Sequence, residues 1–493
     1  VTSLVVLPVL IPLCAAAVML ILRSPMWQRV LSFVALLSSL AVAIAVLVEV
    51  WTDDEILVTR LGGWPGSFAI SMVADRLAAV LVVVALGVTS TVLIFAIGQR
   101  SRDEQSPFYH PVYMVMTAGI VQAFLAGDLF NLFVAFEILL MASYVLLTLE
   151  GTREQIRSGT TYVVLNVIES LVLVVAVGLI FGATGTVNFA ELPARLAELP
   201  DGVRNGLQLL LLVAFGIKAA VFPLFFWLPD SYPTAPSSAS AVFAGLLTKV
   251  GVYCLIRVQT LLFPGEMRGL VLVVGALTML VGVIGAISQQ DMKRILSFHI
   301  VSQIGYMVFG LGIGGTAAIA ATIFYLIHHI PVKTSLFLVE GIIERDSGSS
   351  SLASVSGLAR RSPMLAMLFL VPALSLAGLP PLSGFLAKFA IVRAGLDDGH
   401  YVVVTVALVV SLLTLVSMVK IWVAAFWGEP SDHRDASRAG ILQSSPSMSV
   451  ATGMMVALSI AIAIGAGPLY EFAGDAARQV LDVGGYVVGV RGS

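Results

Sequence analysis

The chain has 493 residues, of which 58% are hydrophobic and only 11% charged, with a mean hydropathy of +1.00. A soluble domain carries about 25% charged residues, so this composition excludes one and implies an all-α protein that crosses the membrane many times. A formal net charge of −2 offers nothing to nucleic acid, and the two cysteines, Cys14 and Cys254, lie inside apolar stretches and supply neither a disulfide framework nor an iron–sulfur or haem site.

Fourteen apolar segments approach the roughly 20 residues that a membrane span needs: 3–22, 29–51, 72–97, 111–126, 128–149, 158–183, 207–228, 236–260, 268–288, 294–311, 315–343, 364–395, 401–427 and 449–468. Val1–Leu22 reads as the first span rather than a signal peptide, because Arg23 follows the apolar stretch instead of preceding it. The loops on one side hold Arg23, Arg29, Arg100, Arg102, Arg153, Arg157, Lys293, Arg294, Arg345, Arg360, Arg361, Arg434 and Arg438. The other side holds Arg60, Arg195, Arg204, Arg268, Arg393, Arg478 and Arg491. Basic residues accumulate on the cytoplasmic side, so the richer set is expected there, with both termini outside. Val1 in place of Met reads as a non-ATG start, which suggests a bacterial gene rich in G and C, and the expected location is a bacterial plasma membrane.

Five ionisable residues lie within the apolar segments: Glu137, Lys218, Lys249, Lys333 and Lys388. A charge at the bilayer centre costs ~2.5–3.5 kcal/mol on an insertion scale, so five left unpaired and dry would cost on the order of 12–17 kcal/mol. Such groups face the protein interior or water and carry protons or ions.

Taken along the chain, Asp75 and Arg76 can pair with polar neighbours at one end of the third segment. Asp128 and Asn131 stand at the start of the fifth, where helix capping is the simplest account. Glu137 is the one mid-helix acid of that segment; alone it stays protonated, beside a lysine it is ionised. Glu169 and Glu340 read as buried or interfacial. Lys218, in LLLLVAFGIKAAVFPLFFWL, is followed by Pro223, which removes a helix hydrogen bond and predicts a kink of the kind found at transporter ion sites. Lys249 lies between Gly245 and Gly251, which permit close packing or water, with snorkelling as the alternative.

Further on, His299 and Gln303 share a face of the tenth segment and can hold water. His329 and Lys333 are also one turn apart, with Pro331 between them expected to disturb the helix. His328 is rotated from His329 by about 100° and is the weaker candidate. Lys388 follows Pro380, Pro381 and Gly384, repeating the lysine-and-proline design of Lys218 and suggesting an internal duplication. Lys420 is near enough to its helix end to snorkel.

The segments FNLFVAFEILL, AFGIKAAVFPLFFWLPDSYPTAPSSASAVFAGLLTKVGVY, KRILSFHIVSQIGYM and LAGLPPLSGFLAKF resemble the antiporter-like membrane subunits shared by respiratory complex I and the Mrp cation/proton antiporters. The resemblance runs along nearly the whole chain. By length, by the opening LVVLPVLIPL and by HIVSQIGYM, it is greatest to the D-type subunits of the Mrp assemblies. It implies a fourteen-helix fold of two inverted five-helix repeats, helices 4–8 over 111–262 and helices 9–13 over 263–428, with helices 7 and 12 broken. Residues 1–110 then hold helices 1–3, and 429–493 hold a loop, helix 14 and a tail.

The resemblance implies roles as well. Glu137 is the acid of the fifth helix and Lys218 its paired lysine in the seventh. Lys249 connects the halves, His329 and Lys333 continue the relay, and Lys388 ends it. Asp128, His299, Gln303 and His328 are secondary candidates. In the complex I subunit most like the D-type Mrp subunits, a glutamate replaces the last lysine and a histidine stands where this chain has Gln303. No cofactor or resident metal is implied. The cargo is H+ and Na+ (or Li+ or K+), with a transient Na+ near Glu137. The implied partners are Mrp subunits A, B, C, E, F and G and the lipid bilayer.

In the expected mechanism, ionised Glu137 keeps Lys218 protonated. Separation of the pair, or a cation arriving at Glu137, sends the proton through water to Lys249, His329–Lys333 and Lys388. Two charges ~4 Å apart at an effective dielectric of 20 interact by ~4 kcal/mol, enough to switch a buried lysine. The leading reading is one subunit of a sodium/proton antiporter, a secondary transporter rather than an enzyme. The alternative is a proton-pumping subunit of complex I or of a membrane-bound hydrogenase. The five interior charges disfavour a passive scaffold.

Overall fold

A computed structural model describes residues 2–53, 55–63, 70–428 and 445–492. Arg434 and Arg438, counted above for orientation, lie outside the described residues. Among the described residues, twelve helices are long and apolar enough to cross a membrane. They are α1 (Leu4–Ile21), α2 (Pro25–Thr52), α3 (Arg76–Gln99), α5 (Leu129–Thr148), α6 (Arg153–Thr184), α7 (Asp201–Ala219), α8 (Ser237–Leu262), α9 (Arg268–Ser288), α10 (Met292–Ile313), α11 (Gly315–Ser347), α13 (Tyr401–Phe426) and α14 (Pro446–Ile464). The expected count of fourteen differs at two places. Helix α4 (Tyr109–Leu125) has only 17 residues, and segment 364–395 is two helices of 15 residues each, α12a (Pro363–Ala377) and α12b (Ser383–Asp397).

Two features depart from a purely helical bundle ending in a loose tail. Strands β1 (Leu57–Arg60) and β2 (Ser71–Ala74) form an antiparallel pair with Leu57 opposite Ala74. The segment after α14 is helical, as α15 (Ala466–Leu481) and α16 (Val483–Gly492). Phe472, Ala473, Ala476, Ala477 and Val480 repeat at helical spacing and form the buried face of α15, where Phe472 stacks on Trp51 at 4.5 Å.

Burial sorts the helices into an inner group and an outer, more exposed group. Every residue in the apolar window of α8 is buried, as are 94% in α10 and 83% in α11, against 33% in α2 and in α13. The inner three carry Lys249, His299, Gln303, His329 and Lys333. Helix α10 reaches this depth partly through glycine. A Cβ on Gly282 of α9 would lie 2.4 Å from the Ser302 amide nitrogen, and one on Gly305 of α10 would lie 2.5 Å from that of Met279. The two backbones therefore touch, a packing mode that small residues allow in membranes.

The seventh helix is ended rather than kinked. Helix α7 stops at Ala219, and Ala220 adopts a left-handed conformation (φ 58°). The Ala220 and Val221 amides donate back to Ile217 O and Gly216 O, both at 3.0 Å, and Trp227 Nε1 donates to Ile217 O at 3.0 Å. These bonds satisfy carbonyls that the end of a helix leaves free. A short helix, Trp227–Ser231, follows. The break in the twelfth helix closes in the same way. Gly378 (φ 88°) donates to Ser375 O at 3.0 Å and Leu379 to Leu374 O at 3.1 Å. Helix α11, by contrast, runs unbroken through Pro331, although proline cannot donate to the carbonyl four residues back. The expected disturbance there is limited to that one missing bond.

Candidate functional site

Lys218 is the penultimate residue of α7, so its ammonium sits at a helix C-terminus, where the backbone dipole favours a cation. It is 2% exposed, and its Nζ lies 3.7 Å from Glu169 Oε2 on α6, itself fully buried. The face of the Phe136 ring lies 5.0 Å from the same nitrogen. Phe136 immediately precedes Glu137 on α5, and one Glu137 oxygen is buried without a hydrogen-bond partner among the described residues. Glu169, weakly placed by sequence, is thus the acid in ion-pair contact with Lys218. Glu137 stands near enough to Glu169 for their charges to interact.

Lys249 is fully buried in α8, directly after a π-helical turn at Phe243–Leu247. It does not snorkel. Its Nζ donates to Ala244 O and lies 3.3 Å from Thr248 Oγ1. On α11, Lys333 is also fully buried and donates to Leu296 O of α10 at 3.0 Å. His329, one turn earlier, has neither ring nitrogen hydrogen-bonded among the described residues and lies within electrostatic range of both Lys249 and Lys333.

Helix α10 is the hub between α11, α12b and α13. Leu296, His299, Gln303 and Tyr306 follow at spacings of three and four residues, which places them on one face. Leu296 accepts from Lys333, and His299 Nε2 meets Ser417 Oγ at 2.8 Å. Gln303 Oε1 accepts from Tyr325 at 2.5 Å. The ring of Tyr306 lies 5.0 Å from Lys388 Nζ. Lys388 also donates to Ala377 O and to Ser411 Oγ, each at 3.2 Å. His328 points from α11 toward α12b and meets Ser383 Oγ at 2.8 Å. It is the bonded histidine of the pair, a contact that sequence ranking by helix rotation could not anticipate.

The remaining candidates resolve as supports. Asp128 caps α5 through the Asn131 amide at 2.6 Å and accepts from the Ser71 amide at 3.1 Å, while Asn131 Nδ2 donates to Ser71 O at 3.1 Å. Asp75 caps α3 and makes a buried ion pair with Arg257 of α8 at 2.6 Å. Arg257 was hidden from sequence reading by its place near the end of an apolar segment. Lys420 ties α13 to the end of α9 through Ile287 O at 2.9 Å and Gln289 O at 2.5 Å. In the connection between α3 and α4, Glu104 accepts from Arg29 of α2 at 2.6 and 2.7 Å, and His110 of α4 meets it at 3.2 Å. Burial opposes ionisation of Glu104, but the bonds from His110 and Arg29 hold it below the ordinary carboxyl range. Among the described residues, no group of three or more His, Cys, Asp or Glu is placed to hold a metal ion.

Residues 126–414 match the family model described as "NADH:quinone oxidoreductase/Mrp antiporter, TM", a stretch that is more than half of the chain and includes Glu137, Glu169, Lys218, Lys249, Lys333 and Lys388. The chain belongs to this family. Among its relatives, the Na(+)/H(+) antiporter D subunit of Alkalihalophilus pseudofirmus is 42% identical over 99% of both chains. That of Bacillus subtilis is 37% identical over 88% of this chain and 90% of its own. A chain of the Mrp complex from Dietzia sp. superimposes with a TM-score of 0.92 at 33% identity, covering both chains completely. A chain of an archaeal membrane-bound sulfane sulfur reductase shares the fold, with a TM-score of 0.89 at 22% identity over 99% of this chain. The family is thus the one that the quoted segments resemble.

Proposed function

We propose that this chain is the D subunit of a multisubunit Na+/H+ antiporter and moves protons through the row Lys218, Lys249, His329/Lys333 and Lys388. It acts as a secondary transporter in a bacterial plasma membrane, with its termini outside and with subunits A, B, C, E, F and G as partners. The observation that carries the reading is the buried Lys218–Glu169 pair at the end of a broken helix, in a chain that also buries Lys249, Lys333 and Lys388. Whole-length identity to antiporter D subunits supports the antiporter reading over a redox pump.

Glu169 and the end of α7 keep Lys218 protonated. When a cation or a proton neutralises the carboxylate, the ammonium loses ~4 kcal/mol of support at an effective dielectric of 20, a roughly thousand-fold change in proton affinity. Glu137 is the second carboxylate within this arrangement, and the ammonium can pass between the two. The released proton moves through internal water to Lys249. From there it reaches His329, whose free ring nitrogens can both accept and donate. Lys333 and the α10 face lead on to Lys388.

Sodium-dependent pH change in everted vesicles containing the assembled complex tests the proposal. Lys218→Ala should abolish exchange while the complex still assembles. Parental exchange by the assembled variant contradicts the relay.

A further inference from the structure

Glu340 on α11 is fully buried, and neither of its carboxyl oxygens has a hydrogen-bond partner among the described residues. Leaving a buried polar group unsatisfied is costly, and more so when it is charged, so a merely structural glutamate would be expected to hold a donor. Glu340 lies seven residues after Lys333 and Glu344 lies eleven after it. Both positions fall within about 20° of the Lys333 face, at rises of ~10 and ~16 Å along the axis. Side chains on a helix lean toward its N-terminus, which directs Glu344 toward Glu340 and Glu340 toward Lys333.

Lys293 of α10 closes the outer end of this column. Its Nζ lies 2.7 Å from Glu344 Oε2, an oxygen that also accepts from Ser237 Oγ of α8 at 2.8 Å. The charges facing Glu340 are those of Lys293, Glu344 and Asp291, the last at the start of α10. Exposure falls in order along the column: the side chain of Glu344 is 38% exposed, that of Lys293 4%, and Glu340 none. An ammonium bonded to the outer carboxyl and within electrostatic range of the inner one can favour either in its charged form. The helix backbone beyond Glu340 is continuous up to Lys333.

We propose that Glu344, Lys293 and Glu340 form an aqueous entrance to the relay, through which protons pass between bulk water and Lys333. Glu344 exchanges a proton with water at the rim. Glu340 carries it inside, and Lys293 sets which of the two carboxyls is charged. The proton then crosses to Lys333 through a short water file. The inference rests on the relay reading of Lys333. It places this entrance on the side that the positive-inside count makes cytoplasmic.

The test compares three variants of the assembled complex in everted vesicles. Glu340→Gln keeps shape and should cut exchange by ~10²-fold or more, the usual scale for loss of a proton-transfer group. Glu340→Asp should restore much of it, which a packing role would not do. Lys333→Ala should abolish exchange. Parental exchange in Glu340→Gln with Lys333→Ala inactive overturns the entrance and leaves the relay standing, whereas parental exchange in Lys333→Ala overturns the relay itself. Should Glu340→Gln fail to assemble, Glu340→Cys in a Cys14→Ser, Cys254→Ser background decides the matter. Modification by a water-soluble methanethiosulfonate from the Lys293 side supports the entrance, and protection there, with Glu344→Cys modified, overturns it.

Discussion

Lys218 and Lys388 each sit beside a helix that closes on the same pair of backbone hydrogen bonds, yet their surroundings differ. Lys218 ends its helix and faces the Glu169 carboxylate at 3.7 Å. Lys388 lies in the second turn of the helix after the break and is held by the Ala377 carbonyl, the Ser411 hydroxyl and the Tyr306 ring. A lysine with a carboxylate partner can be switched by changing the charge of that partner. A lysine held by neutral groups answers mainly to hydration and to the charge of the groups before it. In the proposed relay, the first half is therefore the part that senses the cation or the stored proton, and the second half passes the consequence on.

The comparison can be broken most severely at Glu169. Glu169→Gln removes up to ~4 kcal/mol of support from Lys218, so exchange in everted vesicles should fall by as much as about 10³-fold in an assembled complex. Ser411→Ala in the second half removes one bond to a charged donor, worth ~1.5–3 kcal/mol, and leaves the Ala377 carbonyl in place. Exchange should fall by about tenfold, the equivalent of ~1.4 kcal/mol. Equal losses in the two variants would erase the distinction between a switched and a passive lysine.

The two breaks differ in a smaller way at their left-handed residues. Gly378→Ala places a Cβ 2.8 Å from Lys388 Cδ and forces alanine into a conformation that costs ~1–2 kcal/mol. The complex should melt earlier and exchange should slow. Ala220→Gly should instead raise the melting temperature, by a stability gain of up to about 1 kcal/mol.

The smallest effect lies outside both halves. Burial, with the nearby Glu150 charge, pushes Asp103 up to about 7. The folded chain then keeps a proton that the unfolded chain releases near ~3.9, so this contribution to stability is complete below about pH 4 and lost as pH rises through about 7. Melting curves of Asp103→Asn should decline less than those of the parent from about pH 5 to 8, with exchange unchanged.

Much of this arrangement was legible in the sequence because charge inside an apolar segment is a strong signal. Lys218, Lys249, Lys333 and Lys388 are all buried, and hydropathy placed the helices of Lys249 and Lys333 to within a few residues. The end of α7 was harder to read. A proline at position 223 signals a disturbance, but the helix stops four residues earlier, at Ala219, where the left-handed Ala220 and the Trp227 indole complete its carbonyls. Alanine carries no signature of that conformation. The partner of Lys218 was not legible because pairing is a long-range property. Glu169 belongs to a helix whose other faces are largely exposed, and only the packing of α6 on α7 brings it to the lysine. Likewise, ranking His329 above His328 used rotation about α11 alone, whereas α12b approaches from the His328 side.

The central claim is that Lys218 acts by releasing its proton, and not merely by carrying charge. Arginine keeps the ion pair but does not deprotonate in a protein. Sodium-dependent exchange by an assembled Lys218→Arg complex therefore tests the claim most directly. The relay predicts a stable complex with no exchange above background. Exchange at the parental rate would contradict it.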